Sequence, residues 1–172
     1  MATAYVPFPT LRDDRFFLIM AIIMALTNIA GFSLQLAMGR STFAAPWTVH
    51  AHAVIFFGWT FFYVVQSALV AGGSVALGWI GAGWAAAVVL VGVATTVMMV
   101  RRGTTPFFFQ PVFFLFMNCL TALFFGALVT VAIWLRRRSD WHRRLLLCAM
   151  AMLTGPAFGR LLPMPLMIPW AA

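Results

Sequence analysis

The chain alternates between long apolar runs and short polar breaks. The breaks read GRSTFAAP, AGGS, RRGTTP and RRRSDWHRR, and each is rich in residues that end helices or hold charge. Because about 20 apolar residues cross a bilayer as a helix, the pattern predicts an all-α integral membrane bundle of about five transmembrane helices. The predicted spans cover residues 16 to 38, 48 to 70, 76 to 100, 107 to 135 and 144 to 162, in a single domain of residues 1 to 172.

Composition strengthens the membrane assignment. Of the 172 residues, 64% are hydrophobic and only 8% are charged, and the mean hydropathy is +1.01. These values lie outside the range of soluble globular domains, so the lipid bilayer is the predicted surrounding medium. The first apolar run is longer than the core of a secretion signal and is therefore predicted to be retained as a span.

The net charge of +8 comes from eleven arginines without any lysine, and it predicts orientation rather than nucleic-acid binding. The arginines cluster in the breaks, with seven on the side of the N-terminus and three on the opposite side. By the positive-inside rule the N-terminus is cytoplasmic, in a multi-pass protein of the bacterial inner membrane. The seven are Arg12, Arg15, Arg136, Arg137, Arg138, Arg143 and Arg144, and the three are Arg40, Arg101 and Arg102.

The three histidines fall on opposite sides of the predicted membrane. His50 and His52 begin the second span at its outer end, whereas His142 lies in the predicted cytoplasmic loop before the fifth span. About 30 Å of hydrocarbon separates the two levels, which disfavours a haem held by His142 and either other histidine. His142 is therefore predicted to serve topology and loop structure.

Helical periodicity separates His50 from His52. Residues two apart point about 200° away from each other on a helix, so the pair could share one metal ion only if the start of the span were not helical. A polar stripe on one face predicts that His52 points into the bundle and that His50 is interfacial. His52 is then a structural histidine, a ligand for haem, chlorin or metal, or a proton or transport residue. The stripe comprises His52, Phe56, Trp59, Tyr63 and Gln66.

The fifth span carries Arg160 one turn beyond a predicted kink at Gly155 and Pro156. The only three carboxylates, Asp13, Asp14 and Asp140, belong to the cytoplasmic side. Arg160 is therefore predicted either to reach the outer headgroups or to pair with an anionic or acceptor group, such as a lipid phosphate, a quinone oxygen or a haem propionate.

Further residues suggest a metal site and helix packing. Met164 and Met167 follow Arg160 on the outer face, where soft thioethers with His50 and His52 would suit copper, although methionine is also common core filler. Mid-membrane Asn28 is predicted to tie helices together. Small residues at Gly78, Ala82 and Ala86 predict a close helix contact for the third span.

Two segments carry a resemblance to a known pattern. HAHAVIFFGWTFFYVVQSALV and DWHRRLLLCAMAMLTGPAFGR are similar to a family of small bacterial membrane proteins, in which a histidine-led second span ends in glutamine and a WHRRL segment opens the last span. A basic His-Arg segment precedes the third span in that pattern, and SVALGWIG lacks it, which removes a partner for a cytoplasmic-side haem. A second likeness, limited to one span, relates HAH to the histidine helices of haem-binding membrane proteins.

The sequence supports two functional hypotheses, and it contains no carboxylate pair, nucleophile elbow or phosphate-binding glycine loop that would favour an enzyme. The first is a small accessory subunit of a larger electron-transfer or photosynthetic complex, bound to other membrane subunits and holding haem, chlorin or quinone near His52 and Arg160. The predicted cofactor-binding residues also include Trp59, Tyr63 and Gln66 of the stripe. The second is a stand-alone protein that handles copper or a small solute at the outer face.

Overall fold

The protein is an all-α bundle, as the hydrophobic pattern predicted. The computed structural model describes residues 11–39, 43–74, 78–105 and 110–162, and this part of the chain contains five helices and no strand. The first four helices are long and apolar enough to cross a membrane. The helices are α1 (Leu11–Ala37), α2 (Trp47–Ala71), α3 (Gly78–Arg101), α4 (Pro111–Trp134) and α5 (Ser139–Leu161).

The helices form a closed ring in which each helix packs on its sequence neighbours and α5 packs on α1. Because successive helices are antiparallel, α1 and α5 run parallel and begin at the same end of the bundle. We call that end proximal; it also holds the α2–α3 and α4–α5 connections. The other end, which holds the α1–α2 and α3–α4 connections, is the distal end.

The core draws on all five helices, and small residues in it make room for aromatic rings. A side chain at Gly81 would meet the ring of Phe62, and one at Gly58 would meet the indole of Trp84. Trp84 is fixed there because its Nε1 donates a hydrogen bond to the Ile55 carbonyl oxygen at 3.0 Å. The buried core residues include Ala21, Met24, Trp59, Tyr63, Ala85, Val88, Phe125, Val129, Ala149 and Met150.

The predicted packing face of the third span is wrong. Gly78 faces open space and Ala86 is exposed, whereas Gly81, Ala85 and Gly92 are buried. Glycine and alanine occur on several faces of α3, so their spacing alone does not identify the buried one. The buried face of α3 is the one that contacts α2, where the rings of Phe62 and Phe56 lie against Gly81 and Gly92.

The fifth helix begins five residues before the predicted span. Ser139 to Arg143 are helical, so His142 lies in the first turn of α5 and not in a loop. A hydropathy window does not detect this turn, because the turn is polar. At its other end α5 continues through Pro156 to Leu161.

Candidate functional site at the distal end

The polar stripe of α2 faces the inside of the bundle. Trp59 is 2% exposed and Tyr63 is 6% exposed, and the Trp59 ring meets Phe125 of α4 edge to face at 5.3 Å. The half-buried imidazole of His52 stacks on Phe56, with 4.0 Å between ring centroids and 24° between planes. The inward orientation predicted from the spacing is therefore confirmed for these aromatic residues.

Three residues of the stripe each have a buried polar atom without a hydrogen-bond partner: Nδ1 of His52, Nε1 of Trp59 and Oε1 of Gln66. Buried polar groups in native proteins are nearly always paired, and an unpaired group in an apolar environment costs free energy. The inner face of α2 can therefore accept hydrogen-bonding partners that the described chain does not supply.

His50 lies apart from the stripe. It is exposed, and its Nε2 donates to the carbonyl oxygen of Phe43 at 3.1 Å. Since α2 is helical from Trp47, both histidines occupy regular helical positions and point to different sides.

The hypothesis of one metal ion shared by His50 and His52 is therefore not supported by the geometry. No group of three or more His, Cys, Asp or Glu side chains that could hold a metal occurs in the described ranges. Met164 and Met167, the other predicted copper ligands, lie outside the described residues.

Arg160 reaches the distal end from α5. Its guanidinium carbon lies 4.2 Å from the centroid of the Phe32 ring of α1, and its Nη1 donates to the Pro156 carbonyl oxygen at 2.7 Å. Arg160 also lies close enough to His52 for the two side chains to interact electrostatically. The structure thus places Arg160 and His52 at the same end of the bundle.

Arg160 has no carboxylate partner within the described part of the chain. The side chains of Asp14 and Asp140 are both at the proximal end, where they pair with Arg143. A guanidinium that is half-buried beside an aromatic ring, and that retains unused N–H donors, is suited to bind an anionic or strongly hydrogen-bond-accepting group.

The proximal end shows a contrasting arrangement that the sequence analysis did not identify. Arg143 bridges Asp14 of α1 and Asp140 of α5, with 3.2 Å to the latter, and lies over the ring of Phe17 at 5.1 Å. Nδ1 of His142 donates to the carbonyl oxygen of Ala132 at 2.7 Å, in the last turn of α4. The spacing of Asp140 and Arg143 was the one available sequence signal for this cluster.

Asn28 of α1 also contributes to the interior. It is 5% exposed, and its Nδ2 donates to Oγ1 of Thr60 in α2 at 3.2 Å, which confirms the predicted tie between helices. Its Oδ1 is buried without a partner. The sequence analysis treated Asn28 as structural and did not identify this free acceptor.

No protein-family model, curated protein or solved structure matches the chain. The resemblance to small bacterial membrane proteins therefore stays a prediction, and the functional argument depends on the geometry alone.

Proposed function

We propose that the protein binds the polar headgroup of a membrane-soluble cofactor between His52 and Arg160, and that it does so as a small accessory subunit of a larger electron-transfer or photosynthetic membrane complex. Haem, chlorin and quinone are the cofactor classes that fit this chemistry. Each combines an apolar body with oxygen atoms that accept hydrogen bonds from a guanidinium.

The environment of Arg160 carries the proposal. Its positive charge lies at the distal end, on an aromatic ring and without a carboxylate partner in the described chain. A charge in such a position is costly unless it pairs, so a function that supplies an anionic or acceptor group explains its presence.

His52 supplies the second contact. Its Nδ1 is buried and unpaired, and its ring is held by stacking on Phe56. Neutral imidazole is the form that ligates a haem or chlorin metal or accepts a hydrogen bond.

The accessory role rests on how little of the described chain lies outside the helices. The connections are short, and large apolar side chains remain exposed on every helix. Such surfaces suit lipid and neighbouring membrane subunits. The arginine asymmetry supports an orientation in the bacterial inner membrane with the proximal end in the cytoplasm and the His52 end outside.

An absorption spectrum of the purified full-length protein, with pigment, quinone and metal analysis of the same sample, tests the proposal. Titration with ferric protoporphyrin IX and with a short-chain quinone then measures binding to the wild type and to two variants. We expect His52→Ala to abolish binding of the cofactor and His50→Ala to leave it unchanged.

Two outcomes would contradict this assignment. Equal loss from His50→Ala and His52→Ala would favour a metal site at the outer face, as in the alternative copper or small-solute hypothesis. Absence of bound cofactor, together with no binding in either titration, would leave His52 as a structural residue.

A further inference from the structure

We propose that the bundle interior holds ordered water at two buried polar atoms outside the cofactor site, Oδ1 of Asn28 and Nε1 of Trp59. The two atoms belong to different helices, and both are buried without a partner. Asn28 is 5% exposed and Trp59 is 2% exposed, so neither atom reaches the surface of the bundle. These two positions do not depend on the cofactor site at the distal end.

The unpaired state of Asn28 follows from the hydrogen bonds around it. The Thr60 hydroxyl donates its single hydrogen to the Phe56 carbonyl oxygen at 3.1 Å, so its oxygen can only accept from Asn28. That requires the Asn28 amide nitrogen to face Thr60 and leaves the amide oxygen free. If the Asn28 amide were rotated by 180°, its oxygen would face the Thr60 oxygen, and neither atom could donate a hydrogen bond to the other.

Two other buried hydroxyl groups already donate within their own helices. Thr96 of α3 and Thr154 of α5 are buried, but each donates to the carbonyl oxygen of its own helix four residues earlier, at 2.8 Å and 3.0 Å. The indole of Trp59 is only a donor and needs an acceptor that the described chain does not place beside it.

Water satisfies both requirements. Asn28 offers an acceptor and Trp59 a donor, and water is the smallest molecule that both donates and accepts. No charged side chain is among the buried residues of the described chain, which disfavours an ion. Trp59 lies about 18 Å along α2 from its start, at 1.5 Å per residue, so this water would be held deep in the membrane.

The chain provides a matched pair of indoles for the test. Nε1 of Trp59 is unpaired, whereas Nε1 of Trp84 donates to Ile55. Full-length protein labelled with ¹⁵N in tryptophan and asparagine is reconstituted in lipid nanodiscs. Trp59→Phe and Trp84→Phe assign the two indole signals, and Asn28→Leu assigns the side-chain amide. If Trp59→Phe does not fold, substitution of the other tryptophans identifies its signal by elimination.

Magnetisation transfer from water to these N–H groups is the measurement. We expect a cross-peak at the water frequency for Trp59 and for the Asn28 amide, and a Trp84 cross-peak that is several-fold weaker or absent. Absence of the water cross-peak at either Trp59 or Asn28, or an equal cross-peak at Trp84, would overturn the proposal.

Discussion

Two arginines of α5 occupy nearly equivalent positions at opposite ends of the bundle. Each lies over a phenylalanine ring of the parallel helix α1, Arg143 over Phe17 and Arg160 over Phe32. They differ in their acidic partners. Asp14 lies three residues before Phe17 and Asp140 three residues before Arg143, whereas the corresponding positions near Arg160 hold Ile29 and Ala157.

The comparison separates a structural charge from a charge that needs an external partner. Arg143 has a side chain that is 12% exposed and is neutralised by two carboxylates of the same chain. Arg160 has the same aromatic support, but the sequence places alanine and isoleucine where the carboxylates would be. The proximal cluster therefore holds α1 to α5, and the distal arginine remains available for a ligand.

Removal of Arg143 should have the largest effect. Arg143→Ala leaves Asp14, whose side chain is 18% exposed, without its partner, and breaking a buried ion pair costs about 3 to 5 kcal/mol. We expect the free energy of unfolding of the detergent-solubilised protein, measured by denaturant titration, to fall by about that amount. Arg160→Ala is the control and should cost less, about 1 to 2 kcal/mol, the value of a cation–π contact at a half-buried site. Equal destabilisation by the two variants would contradict the division of roles.

For cofactor binding we expect the reverse order, with a larger effect from Arg160→Ala than from Arg143→Ala. We expect Arg160→Ala to weaken binding of ferric protoporphyrin IX or a short-chain quinone by about 1.5 to 3 kcal/mol, the value of a hydrogen bond to a charged group. Arg102→Ala removes an exposed arginine at the same end and serves as the control. If both variants lose affinity equally, the effect is one of general surface charge.

A carboxylate introduced beside Arg160 should make the distal end resemble the proximal end, where Asp14 pairs with Arg143. Ile29→Asp places an acid three residues before Phe32, as Asp14 is placed before Phe17. The new carboxylate should compete with the ligand for Arg160 and lower its affinity by no more than Arg160→Ala does. Ile29→Asn has nearly the same shape without the charge, and it should leave affinity closer to that of the wild type. The same titrations measure both variants.

Close packing of α1 on α5 depends on Gly31. A Cβ atom there would lie 2.6 Å from the Ala157 carbonyl oxygen and 3.0 Å from its Cα, and these backbone atoms cannot easily move. We expect Gly31→Ala to destabilise the bundle by about 1 to 3 kcal/mol through overpacking. Gly155→Ala makes the same change in open space and should not destabilise it. Denaturant titration compares the two variants, and equal stability would mean that the helices can separate at little cost.

A small effect is expected at His142. His142→Ala removes the donor to Ala132 and should cost about 1 kcal/mol of stability, without changing cofactor binding or its spectrum. His50→Ala breaks an exposed contact and should cost less. Thermal unfolding followed by circular dichroism measures both, and loss of a chromophore band from His142→Ala would contradict the assignment.

Hydropathy predicted the four apolar helices to within five residues at each end. The length of each apolar run can be counted in the sequence, and it sets the length of the helix. The inward face of α2 was predictable since its polar residues recur at steps of three and four. The start of α5 was not, because a polar first turn lies outside any apolar window. The pairing of Asp14 with Arg143 could not be predicted from the sequence either, because the two residues are separated by 129 positions and no local pattern links them.

The free atoms of Asn28 and Trp59 needed the three-dimensional hydrogen-bond network. The sequence identifies an amide or an indole within a span, but whether its partner is present depends on the rotation of neighbouring helices. The same limitation applied to α3, where small residues on several faces left the buried one undetermined.

The parallel contact of α1 with α5 also has a consequence for biogenesis. During synthesis α1 emerges well before α5, so Asp14 leaves the ribosome 129 residues ahead of its partner Arg143. The ring cannot close until then, and the inner surface of α1 must be shielded meanwhile by α2 or by the insertion machinery. Helix α5, which is less apolar than α1 to α4, joins helices that are already in place and contributes Arg143 as the closing contact. A chain that stalls before residue 139 should thus be an open bundle and a substrate for membrane quality control.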